Sequence, residues 1–344
     1  MTTGVVDQAP QTVLPGRPVP YRLEAGAGRA HLLLGEVGRV LAGAEETGGM
    51  MSVMTLCGPA APRPIPLHWH RKEHDYFYCV RGQMQVWADG ESRILNPGDI
   101  GSAPPGSVHA YQLLGHYSEF LGPIVPSGWD RFFDFTGSPY PGPAYPLLDP
   151  SPPPFDKFGA AQEKFDMAYV QDAPYADATL DADDDGLPDG QLPYFLRAGE
   201  GPRHTLFGQV CFQILTGAQS EGRMAMTVTE GPKGPPTPAH VHERTYEGIY
   251  CLDGRMRVTT AGETHELTRG DFVSVPAGIE HAYQFEAHLT RFASMVAPAG
   301  IERFFELAGA VAEQRIFPGP EQADPADPDR LAAAAAELDL VLVR

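Results

Sequence analysis

The sequence predicts an all-β protein made of two tandem barrels, and three observations carry that prediction. The chain has 344 residues, which suits two domains, each long enough to bury a core. It holds 38 Gly and 35 Pro, yet 42% of it is hydrophobic, a balance that favours turn-rich β structure over disorder or a helical bundle. Third, the chain is written twice: HWHRKEHDYFYCVRGQMQVW from His68 matches HVHERTYEGIYCLDGRMRVT from His240 in spacing and residue class.

The repeat has an offset of 172 residues, which also relates Gly82 to Gly254, PGDIGSAPPGSVHAYQ to RGDFVSVPAGIEHAYQ, and DRFFDFTG to ERFFELAG. Upstream the offset becomes 173, as in Pro20-Tyr21 against Pro193-Tyr194. Short alternating runs, such as Tyr76 to Val80, Met84 to Ala88 and Ile249 to Leu252, are broken at close intervals by Gly, Pro, Asn or Asp. The expected division is an N-terminal barrel over 1–140, a Pro- and Asp-rich linker over 141–190 with a short helix near Ala160 to Tyr169, and a C-terminal barrel over 191–344. Near the end, DPDRLAAAAAEL (Asp327 to Leu338) reads as a helix with an aspartate cap, expected to pack on the barrel or close a homodimer.

Residues two apart on a strand share a face, so His68 and His70 project together, as do His240 and His242. Five residues later stands a carboxylate, Asp75 or Glu247. A further histidine, His109 or His281, follows a tight Pro/Gly turn. Three imidazoles and one carboxylate suit a divalent Fe, Mn, Co, Ni or Cu ion, up to two per chain, with no thiolate. The alternation that turns Asp75 inward also turns Phe77 inward, and Tyr111 and Leu113 go with His109. Ile249, Tyr283 and Phe285 take corresponding places, and Trp129 lies beside a lid-like Pro/Gly segment. Such walls suit a flat aromatic substrate. The Phe132-Phe133 and Phe304-Phe305 pairs are assigned to core or interface.

These motifs resemble the cupin superfamily, and the text around them resembles the bicupin quercetinases. H-x-H-(x)4-E-(x)6-G is matched in full from His240 to Gly254, and from His68 to Gly82 with Asp75 in place of Glu. G-(x)5-P-x-G-(x)2-H is matched from Gly98 to His109 and from Gly270 to His281, whereas Leu113 and Phe285 replace the asparagine that ends the general pattern. RPVPYRL, GQLPYFL, EETGGM, FYCVRG, IYCLDG and DRFFDFTG carry the closer likeness. The resemblance implies two double-stranded β-helix (jelly-roll) barrels, each with a metal inside. It also implies O2-dependent cleavage of a flavonol or related enolisable aromatic with release of CO, Asp75 or Glu247 taking the substrate proton. The rival readings are a bicupin decarboxylase or isomerase and a non-catalytic small-molecule binder.

One methylene less shortens the reach of Asp75 by roughly 1.3 to 1.5 Å, which leaves two arrangements there: Asp75 as the fourth ligand, or three histidines plus water with Asp75 a free base. Glu73 or His74 replaces it only if the strand register shifts. The net charge of −19 disfavours nucleic acid and anionic membranes. The absence of a leader pattern and of C-x-x-C pairs reads as a cytoplasmic protein with reduced Cys57, Cys79, Cys211 and Cys251. The D-x-D-x-D-G run from Asp181 resembles half a calcium loop, but position twelve is Leu192, and it reads as solvated linker.

Overall fold

A computed structural model describes residues 13–142, 146, 153–179, 186–319 and 326–343. Among these, each half forms an eight-stranded and a five-stranded antiparallel sheet facing each other, the double-stranded β-helix expected from the alternating runs. Asp181, Asp183 and Asp185 lie outside the described residues. No helix here is long and apolar enough to cross a membrane.

The strand His74–Arg81 shows how the sequence fills two cores at once. It reads HDYFYCVR and is buried along nearly its whole length. Phe77 and Cys79 point into the first barrel, with Met84, Val86, Leu113 and Phe120. Tyr76, Tyr78 and Val80 point the other way, into a cluster shared with Phe212, Met226, Tyr246 and Tyr250 of the second half. A strand buried on both faces must be apolar at both parities. The large sheets of the two halves therefore pack against one another.

The halves also exchange a strand. Tyr21–Leu23 pairs with Phe272–Val275 in the second half, and Tyr194–Leu196 pairs with Ile100–Ala103 in the first. An aspartate clamps each visitor. Asp99 accepts from Asn96 N (2.8 Å) and from Ala198 N (2.9 Å); Asp271 accepts from Thr268 N (2.9 Å) and from Ala25 N (2.8 Å). The glycine before each aspartate lets the visitor approach. A Cβ on Gly98 would lie 2.6 Å from Ala198 Cβ, and one on Gly270 would lie 2.8 Å from Ala25 Cβ, both at positive φ. The visitors' tyrosines reach back, Tyr21 Oη donating to Leu41 O (2.6 Å) and Tyr194 Oη to Ile214 O (2.8 Å). The segments opening each half thus belong to the other half's sheet.

The 141–190 segment, expected as linker, carries more of the repeat than its composition signals. Its helix is Phe155–Lys164, and Ala168–Tyr169 pairs with His68–Trp69. Pro328–Glu337 and Val341–Leu342 do the same for His240–Val241, again at an offset of 173. The second helix is capped as expected, Asp327 Oδ1 accepting from Asp329 N (2.9 Å). Its Leu331 and Ala334 are buried with Leu206 and Ala308.

Alanine at Gly98 should cost about 2–5 kcal/mol, adding overpacking to backbone strain. Gly90→Ala, also at positive φ but in open space, should cost only about 1–2 kcal/mol. Equilibrium urea unfolding of the two variants measures the gap, and equal losses would contradict the close approach of the visiting strand.

Candidate metal centres

In each half the ligand set comes from the facing sheets. His68 and His109 are paired across the small sheet, as are His240 and His281, while Asp75 and Glu247 lie on the central strands of the large sheets. One ligand atom from each of His68, His70, Asp75 and His109 lies within 4.8 Å of the others, and the same holds for His240, His242, Glu247 and His281. All eight expected ligands converge as two clusters, one per barrel.

Asp75 reaches its site despite the missing methylene, which favours the four-ligand arrangement over three histidines plus water. Its Oδ2 lies 3.2 Å from His109 Nε2 and 3.6 Å from His70 Nε2. The corresponding distances to Glu247 Oε2 are 3.0 Å and 3.4 Å. Register is not shifted. Asp75 pairs with Ala103, while His74 faces away, stacked on Tyr76 and bonded to Ser102 Oγ at 2.7 Å.

Each ligand imidazole is held by a backbone carbonyl. Nδ1 of His68 donates to Pro66 O (2.9 Å), of His70 to Asp166 O (2.5 Å) and of His109 to Ser107 O (2.9 Å). His240, His242 and His281 donate likewise to Pro238 O (3.0 Å), Asp339 O (3.2 Å) and Ile279 O (2.9 Å). A carbonyl only accepts, so the proton sits on Nδ1 and the Nε2 lone pair faces the cluster, as a metal ligand requires. Burial, with the neighbouring imidazoles, lowers His68 well below its ordinary value and His240 to about 3, which keeps both neutral. Burial alone would raise the carboxylates, but it is outweighed by the close imidazoles, His70 and His109 lowering Asp75 and His242 and His281 lowering Glu247.

These residues fit a metal ion. His70 Nε2 and Asp75 Oδ1 are buried without a hydrogen-bond partner, a costly arrangement that a coordinating cation relieves. The two carboxylates differ in one respect. Ser294 Oγ donates to Glu247 Oε1 (2.6 Å), whereas Gly122 stands at the matching position in the first half and leaves Asp75 Oδ1 open.

An apolar cavity lies over each cluster. Phe77, Tyr111 and Trp129 line the first, and Tyr283 lines the second. Trp129 meets His70 edge-on at 4.4 Å and stacks on Phe132 at 4.6 Å. Leu113, Ile249 and Phe285 do not line these cavities; they are buried in the barrel cores. Alternation fixes the face but not the depth. Leu113 and Phe285 lie four residues beyond the ligand histidine, about 13 Å along the strand. The Phe132-Phe133 and Phe304-Phe305 pairs belong to the apolar core clusters, as assigned, and also line the cavities.

Another wall residue of the first cavity, Glu36, comes from a strand that carries no ligand motif. Tyr111 Oη donates to Glu36 Oε2 (2.8 Å), and Tyr283 Oη to Gln209 Oε1 (2.7 Å). Burial pushes the Glu36 carboxyl up to about 7 against the lowering effect of Tyr111. The repeat offset of 173 aligns Glu36 with Gln209 and could have pointed to them.

A cupin domain model matches residues 60–117 and 226–290, one match around each cluster. Quercetin 2,3-dioxygenase of Bacillus subtilis (strain 168) is 30% identical over 310 residues, covering 90% of this chain and 92% of that protein. The chain belongs to the quercetinase-like bicupins. Quercetin 2,3-dioxygenase of Aspergillus japonicus is 27% identical to this bicupin over 273 residues, 69% of this chain and 77% of the other. Among solved structures, oxalate decarboxylase from Lactobacillus farciminis in a formate complex shares the fold at a TM-score of 0.53 and 17% identity, covering 81% of this bicupin and 86% of that chain. The E. coli protein Ylba does so at a TM-score of 0.55 and 12% identity, covering 84% and 94%.

Two ions per chain are expected after metal loading. His109→Ala and His281→Ala should each leave one, and the double variant none, measured by elemental analysis of the desalted protein. Two ions retained by either single variant would separate that cluster from metal binding.

Proposed function

We propose that this bicupin is a metal-dependent dioxygenase of quercetinase type, cleaving the oxygen heterocycle of a flavonol or related enolisable aromatic with O2 and releasing CO. The observation that carries this reading is a buried carboxylate beside three converging imidazoles in an aromatic-walled cavity. Two relatives named quercetin 2,3-dioxygenase support it.

The residues divide the work as follows. The apolar walls, Phe77, Trp129 and Phe132 among them, take a flat ring system and exclude water. The carboxylate, held ionised by its histidines, accepts the proton of the flavonol 3-hydroxyl. A divalent transition metal held by the three histidines and the carboxylate would supply Lewis acidity, lowering the pKa of the substrate hydroxyl. The electron-rich anion then supplies the electrons for O2. We assign the larger share of turnover to the first half. There Asp75 Oδ1 meets no hydrogen-bond donor, whereas Glu247 Oε1 already accepts from Ser294.

Mixing the metal-loaded protein with quercetin in air should consume O2 and substrate in equal amounts and release CO, followed with an oxygen electrode and a CO trap. Loss of quercetin without O2 would overturn the dioxygenase assignment, and no loss with any of the five metals would favour a binding protein. Asp75→Asn should lower kcat by about 10²–10⁴-fold, the range for a lost general base. Glu247→Gln should lower it less.

A further inference from the structure

Among the described residues lining the first cavity, Asp75 and Glu36 are the acids. Glu36 begins the strand Glu36–Ala42 and is 7% exposed. It also lines a wider vestibule, which shares Leu33, Ile65, Pro66, Phe158 and Tyr169 with the cavity. The carboxyl therefore stands where the outer opening narrows into the cavity.

Its distance from the ligands follows from the strand. Tyr111 is two residues past His109, about 7 Å further along. Phe77 lies between them, its ring 6.1 Å from His109 and 5.9 Å from Tyr111. A flat substrate with one oxygen at the ligand cluster would run past Phe77 toward Tyr111 and Glu36. Burying a carboxyl among Leu33, Met54, Leu56 and Phe120 is costly when it has one hydrogen bond to show for it. The second half satisfies its equivalent tyrosine with an uncharged amide, Gln209, so the acid is not needed to hold the tyrosine.

We propose that Glu36, oriented by Tyr111, is a specificity-determining residue that accepts a hydrogen bond from a phenolic hydroxyl on the ring of the substrate remote from the metal ligands. The proposal rests on the flavonol reading above and narrows it: the first half selects flavonols by the hydroxylation of that ring, and the second half does so less. A site built to bond a hydroxyl rejects the analogue lacking it, because the buried acceptor is then left unpaired.

The test uses the full-length protein and two probes, quercetin and 3-hydroxyflavone, which lacks the remote hydroxyls. Dissociation constants come from quenching of tryptophan fluorescence without O2, and kcat/KM from O2 uptake. Wild type should favour quercetin in both measurements. Glu36→Leu should reduce the quercetin to 3-hydroxyflavone preference at least tenfold. Glu36→Gln, which places in the first half the residue the second half already accommodates, should reduce it about threefold or more. A preference unchanged in either variant would overturn the proposal, since loss of packing would weaken both probes alike. Selective anaerobic binding that depends on Glu36, without O2 uptake, would sustain the proposal and remove the dioxygenase reading. Failure of both probes to bind the wild type would remove both.

Discussion

An imidazole buried in an apolar barrel can aim a lone pair inward only if its other nitrogen finds an acceptor for the proton it carries. Six backbone carbonyls supply that acceptor here, and the inward aim of the ligand nitrogens in both barrels depends on them. Four lie two residues before their histidine, at Pro66, Ser107, Pro238 and Ile279. The other two, at Asp166 and Asp339, come from nearly one hundred residues away, beside the short strands that lie against the H-x-H strands. Those late segments are therefore part of the metal centre, although they supply no ligand.

How much of this the sequence reveals depends on how local the signal is. The ligand sets are legible because period-two geometry and a repeated spacing point to the same eight residues. The outer segments are not, because strands of two residues such as Ala168–Tyr169 carry no alternation, and proline and aspartate around them read as linker. Asp75 was legible as a departure from pattern but not in its consequence. A missing methylene predicts a gap, yet Oδ2 sits only 0.2 Å further from its histidines than Oε2 of Glu247 does. The aromatic FF pairs were legible as core but not as cavity wall, because they ride on short helices, where face cannot be judged from a few residues.

The two halves share a frame and differ where chemistry is done. Gly122 stands in the first half where Ser294 donates to Glu247 in the second, and Glu36 stands where the second half has Gln209. The first barrel thus keeps a carboxylate with an open oxygen and a second acid in its wall, whereas the second keeps its polar groups mutually satisfied. Duplication preserved the ligands and let the neighbouring contacts diverge.

The crossed strands set the order in which the molecule can be completed on the ribosome. Ile100–Ala103 has no visiting partner until Tyr194–Leu196 has been made, and Tyr21–Leu23 must wait for Phe272–Val275. That second wait spans about 250 residues, roughly ten seconds to a minute at about 5–20 residues per second. Throughout it, an apolar segment near the start of the nascent chain has no sheet to join. The first barrel lacks a strand until the second half has begun to be made, and the second takes one from the start of the chain, so neither barrel is completed by its own half alone.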